Sequence, residues 1–148
     1  MEPRSRSCWR QAKEENFIGE NLLKPKLLFT LAAIYMGLIG LTTLISPIVG
    51  AGLDARASAH LIAQVRVQAS LYIGIAVMNW FARNAEASKA RDAIFLGNTV
   101  VFGFLTILFG LLMFTGEPVV GWIFVVIHLL FTFAFFLVGR ANMSTPAR

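Results

Sequence analysis

The stretch "WIFVVIHLLFTFAFFLVG", residues 122–139, decides the fold class of this chain. Every residue in it is apolar, aromatic or small, except His128 and Thr132. An α-helix rises about 1.5 Å per residue, so about 20 residues cross the hydrocarbon core of a membrane. The stretch therefore predicts a transmembrane helix that carries an ionisable ring near its middle.

The composition of the whole chain agrees with a membrane protein. Of the 148 residues, 57% are hydrophobic and 14% are charged, against about 45–50% and about 25% in soluble domains. The net charge is +5, but the basic residues gather at the ends of the apolar runs and form no stripe with aromatic residues. We therefore expect no nucleic-acid partner. Cys8 is the single cysteine, which excludes an internal disulfide.

Four apolar runs divide the chain. Lipid offers no partner for backbone N–H and C=O groups, so each membrane-spanning run must be helical. The predicted fold is an all-α bundle of four transmembrane helices over residues 27–139, at about 27–49, 57–83, 93–115 and 118–139. A polar, basic N-terminal segment, 1–26, precedes the bundle, and a short tail, 140–148, follows it. Trp9, Lys13 and Phe17 fall on one helical face, which predicts either a short interfacial helix or a solvated tail.

The basic residues also predict the orientation. All but two of the 13 lysines and arginines fall on the side that holds both termini. That side carries Arg4, Arg6, Arg10, Lys13, Lys24, Lys26, Arg83, Lys89, Arg91, Arg140 and Arg148. The other side carries Arg56 and Arg66. Because the side rich in lysine and arginine stays in the cytoplasm, both termini are predicted to be cytoplasmic.

Motifs for catalysis are absent from the sequence. No HExxH, GxGxxG or Walker sequence occurs, and no serine or cysteine sits where a histidine would activate it. The eight carboxylates lie outside the apolar runs or at their edges, so an ion-coupled carrier would lack an acidic group at depth. We expect a non-catalytic protein. A small transporter or a membrane enzyme ranks third, behind an accessory subunit and a binder of a hydrophobic small molecule.

Two asparagines are predicted to meet inside the membrane. Asn79 and Asn98 flank the loop between the second and third runs and share a depth to within one helical turn. Buried amides at one level hydrogen-bond across helices. We therefore interpret them as an interhelical polar pair, with a polar ligand contact as the alternative.

Arg66 lies where the second run enters the outer face of the membrane, and Glu117 lies in the loop between the third and fourth runs. The two are candidates for an ion pair at the outer interface. A snorkelling arginine is the simpler interpretation of Arg66. The alternative is an anchor for an anionic headgroup or a cofactor tail.

His128 lies at the depth of Thr106 on the third run, and Thr132 lies one turn away on its own helix. A neutral imidazole there can donate to Thr106, to Thr132 or to a backbone carbonyl. The alternative is a ligand site: a pigment that needs one axial histidine, or a quinone or lipid hydrogen-bonded to the ring. The nearby phenylalanines suit such a ligand and suit lipid contact equally well: Phe124, Phe131, Phe133, Phe135 and Phe136. No metal site or resident cofactor is otherwise predicted.

The stretches "YIGIAVMNWFARNAEASKARDAIFLGN", residues 72–98, and "GWIFVVIHLLFTFAFF", residues 121–136, together resemble a broad group of small four-helix membrane proteins of bacteria. The resemblance covers the second to fourth runs. It implies a multi-pass protein of the bacterial cytoplasmic membrane, and it implies no activity and no catalytic residues.

These observations predict an accessory or scaffold subunit that packs against lipid and against other membrane protein subunits, or forms a homo-oligomer. The alternative function is binding of a hydrophobic small molecule, such as a quinone, a pigment or a lipid, through His128.

Overall fold

A computed structural model describes residues 24–115 and 120–143 of the chain. In chain order the elements are α1 (Pro25–Ile45), α2 (Pro47–Gly50), α3 (Ala59–Ala82), α4 (Lys89–Leu112), a 3-10 turn (Met113–Thr115) and α5 (Val120–Asn142). The described structure is all-helical, and α1, α3, α4 and α5 are long and apolar enough to span a membrane. The predicted N-terminal interfacial helix and Glu117 lie outside the described residues.

The first predicted helix, 27–49, is not continuous. The structure divides it into α1 and α2 at Ser46, whose backbone is extended (φ −133°, ψ 85°). Pro47 has no N–H to continue the backbone hydrogen bonds of the helix, and its ring disfavours a helical conformation in the residue before it. The short α2 then folds back closely, because a Cβ at Gly50 would overlap the backbone of Thr43.

Serine side chains set two of the helix starts. The Ser58 hydroxyl accepts a hydrogen bond from the Leu61 N–H (3.2 Å), and the Ser88 hydroxyl accepts one from the Arg91 N–H (3.3 Å). Both are N-caps, which satisfy an N–H that the helix itself cannot. The Ser88 cap explains why α4 begins at Lys89 rather than at residue 93, and the 3-10 turn ends α4 at Leu112 rather than at residue 115. The last helix runs from Val120 to Asn142 rather than from 118 to 139.

The bundle consists of two helical hairpins. In the first, α1 packs along α3; in the second, α4 packs along α5. Gly40 shows how closely α1 and α3 approach, because a Cβ there would lie 3.0 Å from the Ala69 carbonyl oxygen and 2.9 Å from Ile73 Cγ1. Close backbone approach at small residues is how membrane helices gain packing energy, since lipid is as apolar as the core.

Aromatic side chains join the two hairpins. Phe29 of α1 packs against Phe95 of α4 and Phe135 of α5, with ring centroids 4.6 and 5.7 Å apart, respectively. All three rings are fully buried. Further along, Tyr35 of α1 stacks on Phe131 of α5 at 5.3 Å. The contact between hairpins thus depends on long aromatic side chains, whereas small residues let α1 and α3 approach closely in the first hairpin.

The two ends of the bundle differ in charge. We call the end that holds Pro25, Ala82, Lys89 and Asn142 the basic end, because Lys24, Lys26, Arg83, Lys89, Arg91 and Arg140 lie there. Among the described residues, the opposite end has Arg56 and Arg66 as its basic residues.

Two arginines stabilise the packing at the basic end. The Arg91 guanidinium donates to the carbonyl oxygens of Ala85 (3.2 Å) and Asn142 (3.0 Å). Carbonyls at a helix C-terminus lack partners within the helix and carry partial negative charge, so a cation there is stabilising. The Arg83 guanidinium lies over the Trp80 ring, 3.3 Å from its centroid, in a cation–π contact.

Candidate functional site

The structure brings Asn79 and Asn98 together in a closed hydrogen-bonded unit. Asn79 Nδ2 donates to Asn98 Oδ1 (3.0 Å), and Asn98 Nδ2 donates to Asn79 Oδ1 (2.8 Å). Each amide also donates to a carbonyl of its own helix, of Ile75 (3.0 Å) and Ile94 (2.9 Å). Every amide hydrogen of the pair is used, and Asn79 and Asn98 are 0% and 1% exposed. The pair therefore has no donor left for a ligand.

His128 is buried in the bundle, at 3% exposure. Its Nδ1 lies 2.6 Å from the carbonyl oxygen of Phe124, one turn earlier in α5. A carbonyl only accepts, so Nδ1 carries the hydrogen and donates. In the neutral ring Nε2 is then an unprotonated acceptor, and it makes no hydrogen bond with the residues that the structure describes.

The two predicted threonine partners do not bind the imidazole. Thr106 donates to the Phe102 carbonyl (2.9 Å), and Thr132 donates to the carbonyl of His128 itself (2.8 Å). Threonine in a helix often bonds the carbonyl four residues earlier, which occupies its only hydrogen. Of the partners considered from the sequence, the backbone carbonyl is the one that His128 contacts.

Aromatic rings surround the His128 ring. Ring centroids lie 5.6 Å away for Tyr35, 5.8 Å for Phe102 and 5.1 Å for Phe109. Phe124 lies at 6.3 Å. Of the phenylalanines predicted near His128, Phe133 and Phe136 instead point outwards and are more than half exposed.

Tyr35 belongs to this site, and the sequence reasoning missed it. Its hydroxyl is buried and makes no hydrogen bond with the described residues. Its ring meets the His128 ring in an edge-to-face arrangement, at an interplanar angle of 70°. The signal that would have found it is a phenol near the middle of the first apolar run, where its O–H needs a partner. The nearby helix α3 carries a satisfied phenol, because Gln68 Nε2 donates to the Tyr72 hydroxyl (2.6 Å).

Arg66 is exposed on α3. It makes no hydrogen bond or ion pair with the residues that the structure describes. Its predicted partner, Glu117, lies outside those residues. The outer-interface pair therefore stays a prediction.

A groove runs between α1 and α3 on the outer surface of the first hairpin. It has a volume of about 480 Å³ and opens to the surroundings of the bundle. Its lining is almost entirely apolar and comprises Ala33, Ile34, Gly37, Leu38, Leu41, Ile73, Ala76, Val77, Trp80 and Phe81. We call it the α1–α3 groove.

Residues 24–115 and 120–143 contain no group of histidine, cysteine and carboxylate side chains that could hold a metal ion. Comparisons of the chain with protein families, with curated proteins and with solved structures find no match. The likeness of residues 72–98 and 121–136 to small bacterial membrane proteins stays a prediction.

Proposed function

We propose that this multi-pass membrane protein is a non-catalytic accessory subunit that binds a transmembrane helix of another membrane protein in the α1–α3 groove. Lipid covers the rest of its apolar surface. The observation that carries the proposal is the groove itself, which opens to the surroundings of the bundle and includes the small residues Ala33, Gly37 and Ala76 in its lining.

The residues at the base of the groove favour a helix over lipid chains. Ala33 and Gly37 are one turn apart on α1, in the small-xxx-small pattern that lets two helix backbones approach closely. The space beside Gly37 is limited by Ala76, since a Cβ at Gly37 would lie 3.6 Å from Ala76 Cβ. Small side chains on both helices leave room for the ridge of side chains on a third helix.

The rim of the groove offers side chains that can anchor a partner. Phe81 is 75% exposed, and the Arg83 guanidinium fixes the neighbouring Trp80 ring from the basic end. Large aromatic side chains commonly provide much of the binding energy at protein interfaces. A partner helix seated on Ala33, Gly37 and Ala76 would contact both rings.

The same proposal includes the location of the protein. Its basic end faces the cytoplasm, following the positive-inside rule, and both termini lie there. The membrane is the bacterial cytoplasmic membrane, following the resemblance of residues 72–98 and 121–136.

Site-specific photocrosslinking in cells tests the docking site. A p-benzoylphenylalanine in place of Phe81 should form an adduct with one other membrane protein. The same probe in place of Phe104, which is 63% exposed on α4 outside the groove, should not. The Phe104 position controls for random capture in the membrane.

A second variant pair makes the test specific to the groove. Val77→Trp fills the groove and should abolish the adduct at position 81. Val100→Trp, at a similarly exposed valine on α4, should leave it unchanged. Equal adducts at positions 81 and 104, or an adduct that survives Val77→Trp, would refute docking in the groove. An adduct between two copies of this chain would refute an accessory role on another protein.

A further inference from the structure

We propose that Tyr35 and His128 form a hydrogen-bonding site for a membrane-soluble aromatic molecule that carries a hydroxyl group, of the quinol class. This site is separate from the α1–α3 groove, and the inference goes beyond the accessory role and does not depend on it. It rests on the buried, unpartnered hydroxyl of Tyr35 and on the His128 ring, which makes its hydrogen bond among the described residues through Nδ1 and leaves Nε2 as an acceptor.

The acceptor is His128 Nε2. The Phe124 carbonyl fixes the hydrogen on Nδ1, so the lone pair of Nε2 is free in the neutral ring. His128 as a residue is 3% exposed, and Nε2 makes no hydrogen bond within the described part of the chain. A polar group with no partner inside a membrane is costly and marks a functional site.

The donor is the Tyr35 hydroxyl. It is buried and unpartnered, whereas the Tyr72 hydroxyl binds Gln68. Buried polar groups in proteins are nearly always hydrogen-bonded, so each exception needs an explanation. The ring centroids of Tyr35 on α1 and His128 on α5 lie 5.6 Å apart, so the two residues border the same region of the bundle.

The described residues of α4 and α5 are less buried beyond this level, towards the opposite end of the bundle. On α4 no residue after Phe102 is buried, and on α5 none of the described side chains before His128 is buried. Towards the opposite end of the bundle, the tight contacts lie within hairpins, as between Gly40 and Ala69 and between Phe109 and Phe124. We therefore expect a ligand to approach His128 and Tyr35 from that end.

The chemistry of the two groups selects the ligand class. Nε2 needs a donor, which a hydroxyl supplies, and the Tyr35 O–H needs an acceptor oxygen. The rings of Phe102 and Phe109 beside His128 favour a flat aromatic head group through offset or edge contacts. A quinol has the hydroxyl, the second oxygen and the flat ring.

Equilibrium binding to the full chain in lipid nanodiscs tests the site, with decylubiquinol as the probe under anaerobic conditions. We expect saturable binding that empty nanodiscs do not show. The dimethyl ether of decylubiquinol has no O–H donor and should bind about 10-fold more weakly or worse. Tyr35→Phe and His128→Phe should each weaken quinol binding by about 5- to 10-fold, the usual effect of one lost hydrogen bond.

Two controls keep the result interpretable. Thr99→Val removes a hydroxyl that bonds its own helix at the Phe95 carbonyl and should leave quinol binding unchanged. Tyr35→Phe should not lower the thermal unfolding temperature of the unliganded protein, because the hydroxyl it removes is unpartnered. Equal binding of the quinol and its dimethyl ether, or unchanged binding in both site variants, would overturn the proposal. A metal-centred pigment bound through His128 in the purified protein would also overturn it.

Discussion

At the scale of single residues, the polar groups inside the bundle fall into two kinds. Asn79 and Asn98 satisfy one another and their own helices, so they stabilise the contact between α3 and α4. Tyr35 and His128 meet across the hairpins and keep hydrogen-bonding capacity that the described residues do not use. Because a polar side chain in hydrocarbon is costly, each kind needs an explanation. The first kind is explained by its hydrogen bonds, and for the second we propose ligand binding.

The asparagine pair can be tested by a double-mutant cycle. Asn79→Leu or Asn98→Leu alone strands the other amide at a buried position, and we expect each to lower the free energy of unfolding by about 1–3 kcal/mol. The double change leaves no stranded amide, so it should cost less than the sum of the two. The measurement is unfolding by SDS titration in mixed micelles.

The control cycle uses two hydroxyls that bond only within their own helices. Thr42 donates to the Leu38 and Ile39 carbonyls on α1, and Thr106 donates to the Phe102 carbonyl on α4. The costs of Thr42→Val and Thr106→Val in the free energy of unfolding should be additive. Additive costs for Asn79→Leu and Asn98→Leu would mean that the two amides act independently.

At the scale of helices, small residues matter only where a neighbour lies against them. Gly37 and Gly40 of α1 face α3, where Ala76, Ala69 and Ile73 lie against them. At Gly74 of α3 and Gly110 of α4, an added Cβ would meet open space beyond the backbone of its own helix. The sequence alone could not separate these cases, because a glycine on a helix does not say which way that helix is rotated.

This difference gives a prediction for α1 and α3. Gly40→Ala places a methyl group against the Ala69 carbonyl and Ile73, and overpacking of this kind costs about 1–3 kcal/mol in the free energy of unfolding. Gly74→Ala meets open space and should be neutral or slightly stabilising, since alanine favours a helix over glycine. Unfolding by SDS titration compares the two, and equal effects would contradict the close approach at Gly40.

At the scale of the whole molecule, some features follow from the sequence and others do not. Four spanning helices could be predicted because hydrocarbon forces each long apolar run to satisfy its own backbone. The meeting of Asn79 with Asn98 could be predicted as well, because a short loop fixes the depth of one helix against the next. The meeting of Tyr35 with His128 could not, because α1 and α5 are not consecutive. Their register depends on how the second hairpin docks on the first, which aromatic side chains such as Phe29 and Phe135 decide.

The orientation of the molecule rests on its charges. The basic end has most of the lysines and arginines of the described residues, and on the positive-inside rule we propose that this end faces the cytoplasm. This orientation also determines where the two proposed sites lie in the membrane. In the proposed orientation, the basic-end rim of the α1–α3 groove, at Trp80, would lie towards the cytoplasm, and the proposed quinol site would lie nearer the outer half of the membrane.

Cysteine labelling in intact cells tests the central claim, a four-span bundle with its basic end inside. The native Cys8 and, in a Cys8→Ser background, Glu86→Cys should resist a membrane-impermeant maleimide until the cells are lysed. Ala55→Cys, at an exposed position between α2 and α3, should react before lysis in the same background. Labelling of Cys8 or Glu86→Cys in intact cells, or protection of Ala55→Cys, would contradict the four-span, basic-end-inside account.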